Sequence, residues 1–255
     1  RMISDLSLPI SGVSSFLLRG LGSYFWFLDC FGFGGVCHIS GGLRFAGGVD
    51  ADVLRGALRD VVIRQEALRL RFTPLDDGGL EAVVVAPAQA TFDLREVDFS
   101  GLHPDEAAAR LETLSTQDAA DKIDLLNSHG WRATFVHLPD GKQALLLTLH
   151  HMICDGWSVG LLQADLLAAL GQGLDATPLS PGYVDVQYWQ AALDAAGAGD
   201  ADLDWWQARF DQRAPDPLEL PTDRPRPAQR SWSGGRVELD LPVSLADQLR
   251  DLARA

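Results

Sequence analysis

Apolar residues recur at helical spacing in six stretches of the chain. The first stretch follows Asp50, a good N-cap residue, and its apolar positions are Val53, Leu54, Ala57, Leu58, Val61 and Val62. A second helix is predicted over residues 103–120, where Pro104 and two acidic residues suit the first turn. Four more helices are predicted over residues 159–171, 184–195, 203–213 and 244–255.

Six shorter segments have the alternating or continuous apolar pattern of strands. They cover residues 42–46, 68–72, 80–85, 131–138, 143–151 and 236–241. The turn Asp77-Gly78-Gly79 predicts that the second and third segments form a hairpin. The segment 143–151 is the most apolar of the six, so we expect it to lie in the centre of its sheet.

Helices and strands follow one another without a strict βαβ order, which predicts a mixed α+β fold. The stretch 215–227 holds five prolines in thirteen residues, so it forms neither a regular helix nor a central strand. It therefore marks a crossing between two substructures. Because the chain starts at Arg1 and ends within an apolar-patterned stretch, we expect it to be a piece of a longer protein.

Composition and charge narrow the function classes. The 255 residues are 47% hydrophobic and carry 21 basic against 35 acidic side chains, a net charge of −14 that repels nucleic acid. Three cysteines predict free thiols in a reducing cytoplasm, with neither a disulfide framework nor a metal site. The apolar stretch 14–39 contains Arg19, Asp29 and five glycines, so we expect no membrane span.

The densest group of chemically capable residues follows the most apolar strand: His150 and His151, then Asp155 and Gly156. Side chains alternate along a strand, so the two histidines face opposite sides and only one of them faces a given cavity. Burial keeps a histidine partly neutral, which suits a proton acceptor near pH 7. The spacing alone leaves open that both histidines are core residues beside an ordinary turn.

Two other nucleophiles lie in the same segment. The pattern Gly156-Trp-Ser158-Val-Gly160 matches a hydrolase nucleophile elbow, but no histidine follows His151, as the hydrolase order would require. Cys154 beside His151 matches a thiol dyad that lacks its third, orienting residue. We therefore interpret Cys154 as a buried, unreactive thiol.

Residues 150–158 resemble the HHxxxDG motif of condensation domains of nonribosomal peptide synthetases, and other stretches resemble further motifs in the family's order. Residues 64–72 resemble RHExLRTxF, with Gln65 in place of the histidine. Residues 183–189 resemble YxDxxxW, and residues 204–206 and 220–227 resemble the helix and linker that follow it. Of the family's opening motif only residues 25–29 survive, with Tyr24 in place of an arginine.

The resemblance implies a two-layer α/β sandwich of the chloramphenicol-acetyltransferase-like fold, in which a mixed sheet is covered by helices. Family members have two such lobes. Residues 1–214 would form the N-terminal lobe, residues 215–227 the proline-rich crossover linker, and residues 228–255 the start of a truncated second lobe. The missing part of the second lobe would then be one partner of this chain.

The resemblance also implies an activity, which is amide formation between an upstream acyl or peptidyl thioester and the amine of a downstream aminoacyl thioester. Peptidyl carrier domains would present both substrates on phosphopantetheine, beside an adjacent adenylation domain, and the domain itself would bind no cofactor. The catalytic motif would comprise His150, His151, Asp155 and Gly156. His151 would contact the attacking amine, Gly156 would admit the backbone close to the reacting carbonyl, and Asp155 would pair with Arg69 or Arg64.

Other functions remain open at this point. An epimerisation domain shares the fold and the histidine motif, and a free acyltransferase would use coenzyme A thioesters. A lone lobe could also be a non-catalytic remnant that docks carrier domains. The Asp-Gly-Trp-Ser ending and the link at residues 220–227 look more like condensation of an L-configured donor, and heterocyclising relatives carry aspartates in place of the histidines.

Overall fold

The computed structural model describes residues 15–17, 21–30, 37–46, 48–76, 78–171, 173–211, 218–226, 228, 237 and 239–254. The chain divides into two compact units, Arg1–Arg213 and Ala214–Ala255. In its described residues the first unit contains seven strands and six α-helices, and the second contains one helix. That the second unit begins another lobe of the same fold stays a prediction.

The described elements have the following bounds. The strands are β1 (Ser15–Leu17), β2 (His38–Phe45), β3 (Leu70–Pro74), β4 (Leu80–Val84), β5 (Leu94–Asp98), β6 (Trp131–His137) and β7 (Gln143–His150). The helices are α1 (Leu21–Cys30), α2 (Ala51–Arg64), α3 (Pro104–Ala120), α4 (Gly156–Gly171), α5 (Tyr183–Ala195), α6 (Asp200–Asp211) and α7 (Val243–Arg254). The α+β prediction is therefore confirmed, together with the β3–β4 hairpin.

The strands form two sheets. A three-stranded antiparallel sheet has the order β1-β4-β3, and a four-stranded mixed sheet has the order β2-β7-β6-β5. In the second sheet β5 runs parallel to β6, and the other neighbours are antiparallel. The prediction that β7 is central is confirmed, since β7 pairs with both β2 and β6 and all eight of its residues are buried.

The four-stranded sheet is covered on both faces, which explains the continuous apolar run of β7. Leu145, Leu147 and Leu149 point into the larger core with residues of α2 and α4. Ala144 and Leu146 point to the other face and pack with residues of α3. The period-2 alternation of the strand therefore decides which side chains at its end reach which face.

Several boundaries differ from the prediction for identifiable reasons. The strand predicted over 68–72 starts at Leu70 because residues Glu66–Arg69 form a 3-10 turn. Strand β5 was not predicted, since only two of its five residues are apolar: Leu94 is buried, and Val97 is half-buried in this edge strand. The strand predicted over 236–241 is wrong at its described positions, 237 and 239–241, because these exposed residues are not paired with any strand.

Among the residues that the structure describes, no helix is both long enough and apolar enough to cross a membrane.

Candidate active site

His150 ends β7 on the face covered by α3 and is completely buried. Its Nδ1 accepts a hydrogen bond of 3.1 Å from the backbone N–H of Met152, so the neutral ring carries its proton on Nε2. The His38 ring lies edge-on to it, with ring centroids 5.7 Å apart. Burial, with the nearby His38 and His151 rings, lowers the pKa of His150 to about 3, so this imidazole stays neutral near pH 7.

His151 follows directly and lies on the opposite face, where it lines a cavity of about 500 Å³. Its backbone N–H donates to the Cys37 carbonyl oxygen over 2.7 Å. Its ring stacks on Phe25, with centroids 4.8 Å apart and planes 20° apart. The ring orientation is thus fixed by α1 on one side, while the cavity leaves the imidazole open to a substrate.

Asp155 precedes the first residue of α4 and acts as its N-cap. Its Oδ1 accepts hydrogen bonds from the Ser158 backbone N–H at 2.8 Å and from the Ser158 hydroxyl at 2.7 Å. These bonds hold the pKa of the Asp155 carboxyl below its ordinary value. The cap also explains why α4 starts at Gly156, three residues before the predicted start at Val159.

The predicted ion pair between Asp155 and Arg69 or Arg64 is not formed among the described residues, where both guanidinium groups have other partners. Buried Arg69 donates to the Val62 carbonyl at 2.9 Å, to the Ile63 carbonyl at 3.4 Å and to the Val85 carbonyl.

The Arg64 guanidinium lies 3.4 Å from an Asp165 carboxylate oxygen on α4 and also donates to the Asp175 carbonyl. The arginines therefore tie α2 to the residue that follows β4 and to α4.

The start of α5 forms another part of the cavity wall. Glu66 accepts a 3.4 Å hydrogen bond from the Val184 backbone N–H, and Asp185 accepts one of 2.8 Å from the Gly182 N–H. The glycine is required here, because a Cβ atom at position 182 would come within 2.2 Å of the Glu66 carboxylate. Both stretches that resemble family motifs, 64–72 and 183–189, therefore meet at the cavity.

The two alternative nucleophiles are not activated. Burial, with the charge of Asp155, raises the pKa of the Cys154 thiol to about 12, so thiolate is negligible near pH 7. The Ser158 hydroxyl donates to Asp155 rather than to a histidine. Among the described contacts, neither the Cys154 thiol nor the Ser158 hydroxyl is paired with a histidine ring.

Sequence reasoning missed several cavity residues that share the wall with His151. These are Phe25, Glu66, Leu161, Leu162, Leu179, Tyr183, Val186 and Gln187. Phe25 belongs to the surviving part of the opening motif, and Glu66 and Tyr183 belong to the motif-like stretches, so a signal existed for these three. The others follow only from the packing of α4 and α5 about the cavity.

A family model described as the condensation domain matches residues 25–255, so the chain belongs to the condensation domain family. Phosphinothricin tripeptide synthetase PhsC of Streptomyces viridochromogenes is 37% identical over 235 residues, which cover 89% of this chain and 21% of that protein. Isonitrile lipopeptide synthase of Mycobacterium tuberculosis is 32% identical over 228 residues, which cover 86% of this chain and 9% of that protein. The resemblance to the condensation domains of nonribosomal peptide synthetases is therefore confirmed.

Solved condensation domains share the fold. The starter condensation domain of the rhizomide synthetase RzmA aligns with a TM-score of 0.67 at 16% identity, over 80% of this chain and 49% of that chain. The first condensation domain of the calcium-dependent antibiotic synthetase aligns with a TM-score of 0.63 at 24% identity, over 81% of this chain and 51% of that chain. The chain thus spans about half of these solved chains, and 21% and 9% of the two curated relatives.

Proposed function

We propose that this chain carries the histidine motif of a condensation domain that joins an acyl or peptidyl thioester to the amine of an aminoacyl thioester. The observation that supports the proposal is the position of His151. It lines a cavity inside the first unit, beside Phe25, while its neighbour His150 is buried on the other face of the sheet. One imidazole is therefore available to substrates, and the other holds the end of β7.

In the proposed reaction the amine nitrogen attacks the thioester carbonyl carbon, a C–N bond forms, and the C–S bond breaks. The proton released by the amine goes to the departing thiolate. His151 serves this transfer either as a base that accepts and returns the proton or as a donor that positions the amine and stabilises the tetrahedral intermediate. The thioester is already activated, so no acyl-enzyme is needed.

The proposal includes the partners that such chemistry requires. Upstream and downstream peptidyl carrier domains present the substrates on phosphopantetheine, and an adjacent adenylation domain selects the amino acid to be loaded. The remaining part of the condensation domain faces the histidine motif from the second lobe. The domain binds neither a cofactor nor a metal of its own, and the protein works in the cytoplasm. The support for these partners is that the relatives are multidomain peptide synthetases of which this chain covers one part.

The test measures single-turnover amide formation between two carrier-bound aminoacyl thioesters. It compares the full-length protein that contains this chain, here called the parent protein, with its His151→Ala variant. Loss of a positioned proton-transfer group lowers the rate by about 10²–10⁴-fold. The control is His103→Ala, because the His103 side chain is largely exposed at the start of α3 and lies outside the cavity. We expect the control to keep the rate of the unmodified protein.

Two results would replace the proposal. Exchange of the α-proton of one tethered residue, without amide formation, would identify an epimerisation domain. Carrier binding without either reaction, in the complete parent protein, would identify a docking module. Amide formation that survives the loss of the His151 imidazole would also contradict the role assigned to this residue.

A further inference from the structure

The cavity at His151 has a mostly apolar lining that amide formation by itself does not require. Its apolar walls include Leu68, Leu149, Met152, Ile153, Leu161 and Leu162. A cavity of roughly 150 Å³ with walls of this kind is large enough to bind benzene. At about 500 Å³, the cavity here accommodates a considerably larger apolar group. Every lining residue belongs to the first unit.

Several polar groups of the lining are engaged in holding the wall together. The Glu66 carboxylate accepts from the Val184 N–H. Asp155 accepts from Ser158, and the Gln65 carboxamide donates to Asp165 over 2.6 Å. All lining residues lie in the described part of the chain, and none of them is lysine or arginine. An anionic substituent would therefore lose its hydration and find no lysine or arginine in the lining to pair with.

We propose that this cavity binds the uncharged, apolar substituent of a reacting substrate while His151 contacts the reacting centre. The substituent is the acyl chain of the donor thioester or the side chain of the acceptor amino acid, which share this chemistry. The inference rests on the proposed function and adds the substrate class. It excludes acidic substituents, whose desolvation the cavity does not compensate.

The first test measures binding, so that it does not depend on turnover. The parent protein is titrated calorimetrically with unreactive pantetheine thioethers that carry a propyl, an octyl or a carboxyheptyl group. A parallel series uses pantetheine amides of glycine, leucine and glutamate to represent the acceptor. In the series that uses the cavity, we expect affinity to rise about fourfold for each buried methylene and to fall at least tenfold for the carboxylate.

A pair of matched variants locates the binding. Val186 lines the cavity and Val53 lies on α2 outside it, and the two residues are 36% and 55% exposed. Val186→Phe fills part of the cavity, so we expect it to weaken the octyl or leucine ligand at least tenfold and to spare the propyl or glycine ligand. Val53→Phe makes the same chemical change on the surface and leaves all affinities unchanged.

The outcomes are distinct. Equal affinity for all members of both series, or equal effects of the two phenylalanine variants, would overturn the inference. The series in which affinity rises with the size of the substituent identifies whether the donor or the acceptor occupies the cavity. Length-dependent binding without amide formation would support the cavity and contradict the proposed reaction. Amide formation at equal rates with propionyl, octanoyl and carboxyoctanoyl donors, and with glycine, leucine and glutamate acceptors, would support the reaction and contradict the cavity.

Discussion

The two faces of the four-stranded sheet differ most at the end of β7. On the α3 face the polar groups at this end are enclosed: His150 is completely buried, the Thr134 hydroxyl donates to buried Asp118, and Thr148 is buried. On the α2 and α4 face, the next residue, His151, lies beside a cavity. One peptide step therefore separates a structural imidazole from one that a substrate can reach.

The α3 face of the sheet is the closed face. Its polar groups are enclosed by the edge strand β2 and by the end of α3. His38 lies opposite His150 in the β2–β7 register, and its ring is edge-on to that of His150. The His38 Nδ1 lies 3.0 Å from the Ala119 carbonyl oxygen near the end of α3. On the other face, α4 and α5 line the cavity, and the polar residues at the start of each helix bond locally: the Ser158 N–H donates to Asp155, and the Gly182 N–H donates to Asp185.

The largest expected effect on stability comes from the loss of the Arg69 guanidinium. Its hydrogen bonds hold together backbone segments on the cavity side of the sheet. Removal of its guanidinium in Arg69→Met leaves carbonyl groups of α2 and β4 without their donor, which costs about 3 kcal/mol of unfolding free energy. Arg64→Met removes a partly exposed pair with Asp165 and costs about 1 kcal/mol or less. Urea unfolding of both variants measures the difference.

Equal losses for the two arginine variants would contradict this distinction. If Arg69→Met lowered the free energy of unfolding in the unmodified chain but not in an Asp155→Ala background, the ion pair that the sequence predicts would be supported. The double variant therefore serves as the control, since independent sites give additive losses.

Much of the fold could be predicted because its elements carry strong local signals. The α2 helix has a capping aspartate and a periodic apolar face, and Asp50 indeed accepts hydrogen bonds from the Asp52 and Val53 N–H groups. Strand β5 lacks such a signal, because its position depends on parallel pairing with β6 rather than on its own side chains. The segment at 236–241 shows the reverse case, an alternating pattern without a partner strand at its described positions.

The candidate site also has one part that could be predicted from the sequence and one part that could not. Strand alternation predicts that His150 and His151 face opposite sides, since it depends only on neighbouring residues. The partners of Arg64 and the Val85 partner of Arg69 could not be predicted, because tertiary packing brings these groups close. The nearest donor to Asp155 was only three residues away, at Ser158. A local cap competes well with a distant ion pair because its chain segment is already ordered by the helix.

The pH dependence of stability gives the next largest effect and tests the closed face. The folded pKa of His150, about 3, lies below the ordinary value of 6.5, so the unfolded chain binds the proton first as the pH falls. Stability from this group is complete above pH 6.5 and declines by about 1.4 kcal/mol per pH unit below it. We expect urea unfolding of His150→Asn between pH 7 and 5 to lack this decline.

Asparagine retains an acceptor for the Met152 N–H, so the comparison isolates the titration of the ring. The matched variant is His151→Asn, next in the chain and on the cavity face, which we expect to keep the decline. The prediction would be wrong if the two asparagine variants had the same pH dependence. It would also be wrong if His150→Asn kept the full slope of the unmodified chain.

The smallest expected effect on the free energy of unfolding concerns Asp155. It decides whether the cap of α4 depends on the charge of the carboxylate or only on an oxygen atom that accepts a hydrogen bond. Asp155→Ala removes the cap of α4 and costs about 1 kcal/mol of unfolding free energy, as Asp50→Ala should at the start of α2. Asp155→Asn keeps an acceptor for the Ser158 N–H, so we expect a loss of only a few tenths of a kcal/mol. If the asparagine variant were as unstable as the alanine variant in urea, the carboxylate charge would be essential and a cationic partner would have to exist. A small loss instead assigns Asp155 to the loop that sets the start of α4, next to the histidine that faces the cavity.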